Sequence, residues 1–426
     1  MRELREYCTP GILSLETLSV LQFCTTDEPL LPNLKTLYFW GVNGPDVPFI
    51  PLFLSPRITY ILLNFYGSDP PIAMVASMVT TFPKLYPELQ VIRLNCLPRD
   101  PMITAAVSRM VLAANRNTLQ QFDVDSPLTE EASGVVYTLP NLCQLSVDIE
   151  RVTSLPSASL PNLTELTIKC ENEGKWPRLF HGATFGKLES ITFYPESEGI
   201  GDFLGAFERA ALSSSVEKTL SLFRLSTSRS WDPNYSSLLP FVQLSELYVG
   251  FSCDDGCSSK VDDDIVISLS RAMPKLTVLQ LGNDPCREFN TGVTTKGLVA
   301  LALHCPALRC LRIHFQVASL SAPPVSPGVG RNTDPTSSWT NSGLLELVVG
   351  EIVVPEESVL MVALTLLRIF PLIESIYFID EGWGKVEDAI QLSKRILDCS
   401  SKHHPFTIPR RNFDDTSVEV TLETSS

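Results

Sequence analysis

Apolar residues recur along this chain in one arrangement: an aliphatic or aromatic residue, two further positions, a second apolar residue, one polar position, and a third apolar residue. It stands at Leu34/Leu37/Phe39, Leu89/Ile92/Leu94, Leu119/Phe122/Val124, Leu142/Leu145/Val147 and Leu163/Leu166/Ile168. It continues at Leu188/Ile191/Phe193, Leu244/Leu247/Val249, Leu276/Leu279/Leu281, Leu308/Leu311/Ile313 and Ile373/Ile376/Phe378. Weaker copies fall at Leu15/Leu18/Val20, Ile58/Ile61/Leu63 and Leu344/Leu347/Val349, and the weakest at Leu220/Leu222, where Glu217 holds the first site. Proline precedes many copies, as in LPNLKTL, YPELQVI, MPKLTVL and CPALRCL. About fourteen units, roughly 19 to 36 residues apart, thus run from one end of the chain to the other, the signature of a repeat architecture.

The second and third apolar sites are two residues apart, so on a strand they share a face. The first lies three residues earlier, where the chain turns into the strand and adds a third side chain to the same core. Helix-like segments separate the copies, most clearly Asp264 to Met273 and Thr295 to His304. In the first, Ile265, Ile267, Leu269 and Ala272 mix two faces and leave its orientation open, with Asp263 or Asp264 as N-cap. In the second, Leu298, Leu301 and Ala302 recur at helical spacing behind Thr294 or Thr295 as N-cap. A further helix is expected around Val386 to Leu397. Strand and helix alternating at this period predict an α/β solenoid over residues 1–400, a horseshoe with parallel strands on its concave face, helices outside and one continuous core. Fourteen strands at about 4.8 Å spacing give an arc of about 65 Å. Residues 319–341, rich in Ser, Pro and Gly, read as a surface loop inserted between repeats, and residues 250–264 as a shorter polar loop. In the tail, 401–426, Val418, Val420 and Leu422 alternate like a last strand capping the open end; disorder is the alternative.

Within this pattern the stretch TTKGLVALALHCPALRCLRI, Thr294 to Ile313, resembles the Cys-containing leucine-rich repeat of F-box proteins. The matching elements are Gly297-Leu298, Leu301, Cys305-Pro306, Leu308, Leu311 and Ile313. Over roughly residues 10 to 400 the chain is similar to the leucine-rich part of F-box proteins of mushroom-forming fungi, through PFIPLFLSPRIT, LPRDPMITAAVSRMVLAANRNTLQ, IGDFLGAFERAALS and PEESVLMVALTLLRIFPLIESI. The resemblance implies a leucine-rich-repeat fold that recognises a protein substrate for an SCF-type ubiquitin ligase. It departs from the family at the start. Met1 to Pro10 is too short for the three-helix F-box, so a Skp-family adaptor and cullin are expected as partners only if that module is restored; a free-standing repeat scaffold with no ligase role is the alternative. The Asn or Cys expected to cap each strand turn is mostly replaced, by Val42, Leu97, Pro127, Glu150, Glu171 and Glu196, and irregular turns are expected.

Charge narrows the partners. With 33 Lys and Arg against 48 Asp and Glu the formal charge is −15, which argues against nucleic acid or an anionic membrane as partner. The start of the chain lacks a signal-peptide core, and the longest apolar stretch, Val359 to Phe370, is too short to span a bilayer. The 11 Cys read as reduced, buried residues, and a cytoplasmic or nuclear protein is expected. Cys253 and Cys257 with Asp254 and Asp255 lack both a second Cys/His pair for zinc and the EF-hand spacing, so no metal and no other cofactor is expected. No G-x-S-x-G, Walker or dinucleotide-binding motif occurs, and no catalytic residue is assigned: the chain reads as non-catalytic. The sequon at Asn162 sits just before a strand, which argues against glycosylation.

The outward positions of the strands form the best functional surface. Tyr38, Trp40, Tyr194 and Tyr248 are of a type enriched at binding hot spots, with Arg93 and Arg312 among them. Asp123, Asp125, Asp148 and Glu165 fall on three successive strands and predict an acidic stripe that attracts a basic segment of a protein substrate.

Overall fold

The computed structural model describes residues 3–7, 15–24, 29–65, 70–114, 116–148, 159–170, 184–195, 203–227, 233–251, 261–282, 292–320, 343–349, 354–378 and 381–402. The strands, in chain order, are β1 (Glu3–Tyr7), β2 (Thr36–Val42), β3 (Tyr60–Phe65), β4 (Val91–Asn95), β5 (Gln121–Val124), β6 (Gln144–Asp148), β7 (Ser159–Leu160), β8 (Glu165–Cys170), β9 (Thr184–Phe185) and β10 (Ser190–Pro195). They continue as β11 (Leu222–Thr227), β12 (Glu246–Phe251), β13 (Val278–Leu281), β14 (Cys310–Ile313), β15 (Glu346–Val348) and β16 (Ser375–Tyr377). The short β7 and β9 pair with each other, and the other fourteen form one sheet whose order follows the chain without reversal. Every neighbouring pair in it is parallel.

That order has a geometric consequence. Parallel neighbours need a crossover, crossovers share one hand, and an order that never reverses puts every crossover on the same face. The helices accordingly cover one face: α1 (Leu15–Cys24), α2 (Ile72–Leu85), α3 (Pro101–Ala113), α4 (Glu130–Val136), α5 (Phe203–Ser213), α6 (Asp263–Ala272), α7 (Thr295–His304), α8 (Val317–Leu320), α9 (Val359–Ile369) and α10 (Glu381–Lys402). The 3₁₀ helix Gly44–Phe53 serves as the crossover between β2 and β3. The core lies between sheet and helices and extends continuously from Leu34 to Ile390. The described elements thus form an open α/β structure and leave the parallel sheet uncovered on its other face.

The recurring motif sets the register. The second apolar sites, from Leu37, Ile61, Ile92 and Phe122 through Leu145, Leu166, Ile191 and Phe223 to Leu247, Leu279, Leu311, Leu347 and Ile376, stand side by side on thirteen strands. None is more than 4% exposed. The residues just before the strands build a second row. Two successive amides donate to one carbonyl of the preceding unit, from Thr59 and Tyr60 onto Lys35 O to Glu374 and Ser375 onto Leu345 O. Thr164 and Thr277 add their hydroxyls to the same carbonyls, at 3.0 and 2.9 Å. Of the three LPNL segments, those at 139–142 and 160–163 link adjacent turns through their asparagines: Asn141 Nδ2 donates to Asn117 O (2.7 Å) and Asn162 Nδ2 to Pro140 O (2.9 Å). The amide nitrogen of the Asn162 sequon is therefore engaged in the fold.

At the C-terminal edge α10 closes the sheet. Trp383, Val386 and Ile390 are buried on one helical face. Beside them Glu387 Oε1 accepts from Ile376 N (3.1 Å), Gln391 Nε2 donates to Glu374 O (2.9 Å) and Lys394 donates to Ile373 O. Side chains thus satisfy backbone groups that a bare edge strand would leave open to pairing. The expected capping strand at Val418, Val420 and Leu422 lies outside the described residues, as do Cys253, Cys257, Glu150, Glu171 and Glu196.

Several expectations are corrected. Leu15, Leu18 and Val20 belong to a helix, and the first strand is Glu3–Tyr7, with Leu4 in register with Leu37. The copy read at Glu217/Leu220/Leu222 is framed as Leu220/Phe223/Leu225, all three fully buried. The N-cap of α6 is Asp262, whose side chain accepts from Ile265 N; that of α7 is Thr294. Val266 and Leu269 settle the buried face of α6. Ser319 and Leu320, expected in the inserted loop, close the short helix α8, and residues 321–342 lie outside the described residues. Of the four cysteines whose side chains are described, Cys305 alone is buried, and Cys96 is exposed. The residue that turns the chain differs between strands. Cys96 turns with φ 56°, its N–H held by Asp125 Oδ2 at 2.8 Å, whereas Gly41 and Gly282 supply the left-handed residue elsewhere.

Candidate functional site

On the uncovered face the outward positions align into rows. The central row runs Tyr38, Leu62, Arg93, Asp123, Ser146, Thr167, Thr192, Arg224, Tyr248, Gln280, Arg312, Val348 and Tyr377. Glu165 stands in the row towards the strand starts, beside Gln144 and Ser190. Trp40 stands in the row towards the strand ends, as do Asp148 and Tyr194, which flank Lys169. All the candidate residues therefore share this face, but they spread from β2 to β14 and form several local groups.

The first group is aromatic. The Tyr38 and Tyr60 rings lie 4.7 Å apart, Trp40 is 48% exposed, and Leu62 is buried in the row beside Tyr38. Burial pushes the Tyr60 hydroxyl up to about 12, helped by its hydrogen bond with Tyr38 and by Asp123 and opposed by Arg93. Tyr86, on the helical side, is likewise raised to about 12 by burial. A phenol held protonated above its ordinary pKa of about 10 makes the folded chain bind more protons than the unfolded one between pH 10 and 12. The share of stability linked to these phenols is therefore intact below about pH 10 and falls as pH rises towards 12. In denaturant titrations repeated across that window, Tyr60→Phe with Tyr86→Phe gives a shallower decline than the parent chain; an unchanged slope refutes the assignment.

The second group surrounds a hollow of about 160 Å³ on β4 to β8, lined by Arg93, Gln121, Asp123, Gln144, Ser146, Glu165 and Thr167. Arg93 Nη2 donates to both Gln121 Oε1 and Gln144 Oε1, each at 3.1 Å. Its Nε is buried without a hydrogen-bond partner, as is Asn64 Oδ1 on the neighbouring strand. Beside the hollow Asp125 pairs with Lys169, and Asp148 is only 5% exposed. This corrects the expected acidic stripe. Lys169 answers Asp125, burial removes Asp148 from the surface, and only Asp123 and Glu165 remain as carboxylates offered to a ligand.

The third group lies on β11 to β14. The Arg224 guanidinium sits 4.3 Å over the Tyr248 ring, and the Tyr248 hydroxyl donates to Glu246 Oε2 at 3.0 Å. Burial and Glu246 raise the Tyr248 pKa against the opposing Arg224, and burial lowers that of Arg312. Tyr194, 37% exposed, stands beside Lys169 in register.

Tyr60, Leu62, Asn64 and Arg224 belong to this surface but were not singled out from the sequence. The positional rule that finds Arg93 and Asp123, two, four and six residues after the anchor, selects Tyr60, Leu62 and Asn64 from Ile58, and Arg224 from the correctly framed Leu220. Among the described residues, no group of three or more His, Cys, Asp or Glu is arranged to hold a metal ion, and no helix is long and apolar enough to cross a membrane. No family model and no curated protein sequence matches the chain.

Proposed function

We propose that this chain is a leucine-rich-repeat solenoid whose uncovered, concave face holds a protein target, and that it is the substrate-recognition part of an F-box protein in an SCF-type ubiquitin ligase. One observation carries the reading. The L-x-x-L-x-L motif stands in register across thirteen strands, so its intervening positions form a continuous face bearing Tyr, Trp, Arg and carboxylates. Aromatic residues and arginine dominate binding energy where proteins meet. The chain presents the target and changes no bond itself; ubiquitin transfer belongs to the E2 enzyme that the assembly brings in, through an adaptor and cullin docked on an F-box. The ligase half of the reading comes from the family resemblance alone.

Affinity capture of the tagged chain from its native extract, read by mass spectrometry, tests this. A protein retained by the parent chain is expected to be lost at least tenfold from a Tyr38→Ala, Trp40→Ala variant, the effect of removing hot-spot side chains of about 2 kcal/mol. Co-recovery of a Skp-family adaptor and cullin supports the ligase role, whereas a face-dependent partner recovered without them supports a free-standing scaffold. Retention of every partner by the variant overturns the assignment of this face.

A further inference from the structure

We infer that the hollow on β4 to β8 seats one basic side chain, arginine or lysine, of the bound protein. The inference rests on the reading of this face as a protein-binding surface and assigns the chemistry of one subsite on it. Its size is the first argument: about 160 Å³ has room for a single long side chain and not for a chain segment.

Charge is the second. Six charged side chains occupy this face of β4 to β8, the carboxylates of Asp123, Asp125, Asp148 and Glu165 and the cations of Arg93 and Lys169. Lys169 is committed to Asp125, and Arg93 Nη2 to two glutamine carbonyls. Among the described residues no ion pair engages Asp123 or Glu165, and both line the hollow. The lining carries these two carboxylates against the single guanidinium of Arg93, so an incoming anion adds to a net negative charge and an incoming cation offsets it.

Hydrogen bonding is the third. A guanidinium carries five N–H donors and no acceptor, and an ammonium carries three donors. Beyond the carboxylates, Ser146 and Thr167 offer hydroxyl oxygens in the same hollow. The buried Nε of Arg93 and the Nη2 bonds to the two glutamines fix the wall on which such a head group rests.

The test uses the full chain and two blocked amino acids, N-acetyl-arginine amide and its neutral isostere N-acetyl-citrulline amide, followed by saturation-transfer NMR at low ionic strength. The arginine probe is expected to receive at least fivefold more saturation than the citrulline probe. That excess disappears in Asp123→Asn, Glu165→Gln and survives in Glu131→Gln, which removes an exposed carboxylate from α4 on the helical side. Thermal unfolding of each variant confirms an intact fold. Equal signals from both probes, or an excess that survives the double substitution, overturn the inference. Because the probes need no partner, this result is separable from protein capture: a partner lost with Tyr38 and Trp40 while the arginine probe ignores the hollow leaves the proposed function standing and removes this subsite alone.

Discussion

Truncating Phe207 to alanine is expected to destabilise the protein by about 3–5 kcal/mol. Phe207 projects from α5 and is fully buried. Its ring lies 5.6 Å from that of Phe193 on β10, 4.9 Å from that of Phe223 on β11 and 5.1 Å, nearly parallel, from that of Phe241 in the next turn. One side chain thus fills the junction of three successive units. Its loss leaves a cavity that the aromatic neighbours cannot fill without giving up their own contacts. In a stack whose units touch only their neighbours, damage at one junction spreads first to the adjacent units. The check is urea unfolding combined with amide exchange. Protection should fall most on β10 to β12, and the first transition should move to lower urea. Leu212→Ala in the same helix is the control, because Leu212 is 45% exposed and should shift the transition little. Equal effects of the two substitutions refute the junction role.

How far the sequence reveals such a structure depends on where each constraint originates. The strand registers were legible because each motif carries its own apolar triad: Leu142, Leu145 and Val147 place β6 without reference to any other strand. β1 escaped because Glu6 occupies the register position held by Phe39 in β2, so the third site is polar and the triad is broken. The Leu220 copy was misframed because Glu217, Leu220 and Leu222 imitate the spacing, while the fully buried Phe223 and Leu225 decide the frame only through packing against α5 and their neighbours. The candidate surface shows the same division. Which residues face outward follows from period two and was readable. Which of them remain available does not follow, since the partner of Asp125 lies 44 residues away at Lys169, and Asp148 is buried where it stands in register with that same Lys169 on the next strand. The hollow too is a product of three-dimensional contact, made where Arg93 reaches across β5 to Gln144, 51 residues on.

A second large effect is expected where α6 meets α7, and it takes the form of a coupling. Asp263 Oδ1 accepts from the backbone N–H groups of Thr294 (2.8 Å) and Gly297 (2.9 Å), and Oδ2 accepts from the Thr294 hydroxyl at 2.6 Å. The first turn of α7 is thus capped by a carboxylate delivered from the preceding unit, where helix N–H groups and the dipole favour a negative charge. Asp263→Ala removes three bonds to a charged acceptor and is expected to cost about 2–4 kcal/mol. Gly297 is what lets the carboxylate approach, because a Cβ there would stand 2.6 Å from Asp263 Oδ1. Alanine is a better helix former than glycine by about 1 kcal/mol, yet Gly297→Ala is expected to destabilise, since the clashing oxygen is pinned by its own bonds. Once Asp263 is alanine that contact is gone and the nearest remaining atom is Val293 Cγ1 at 3.2 Å, so the same Gly297→Ala is expected to cost far less than in the parent chain. A double-mutant cycle read by urea unfolding therefore returns a coupling above about 1 kcal/mol. Additivity within about 0.5 kcal/mol, the behaviour of independent sites, would show that the carboxylate and the glycine do not act as one clamp.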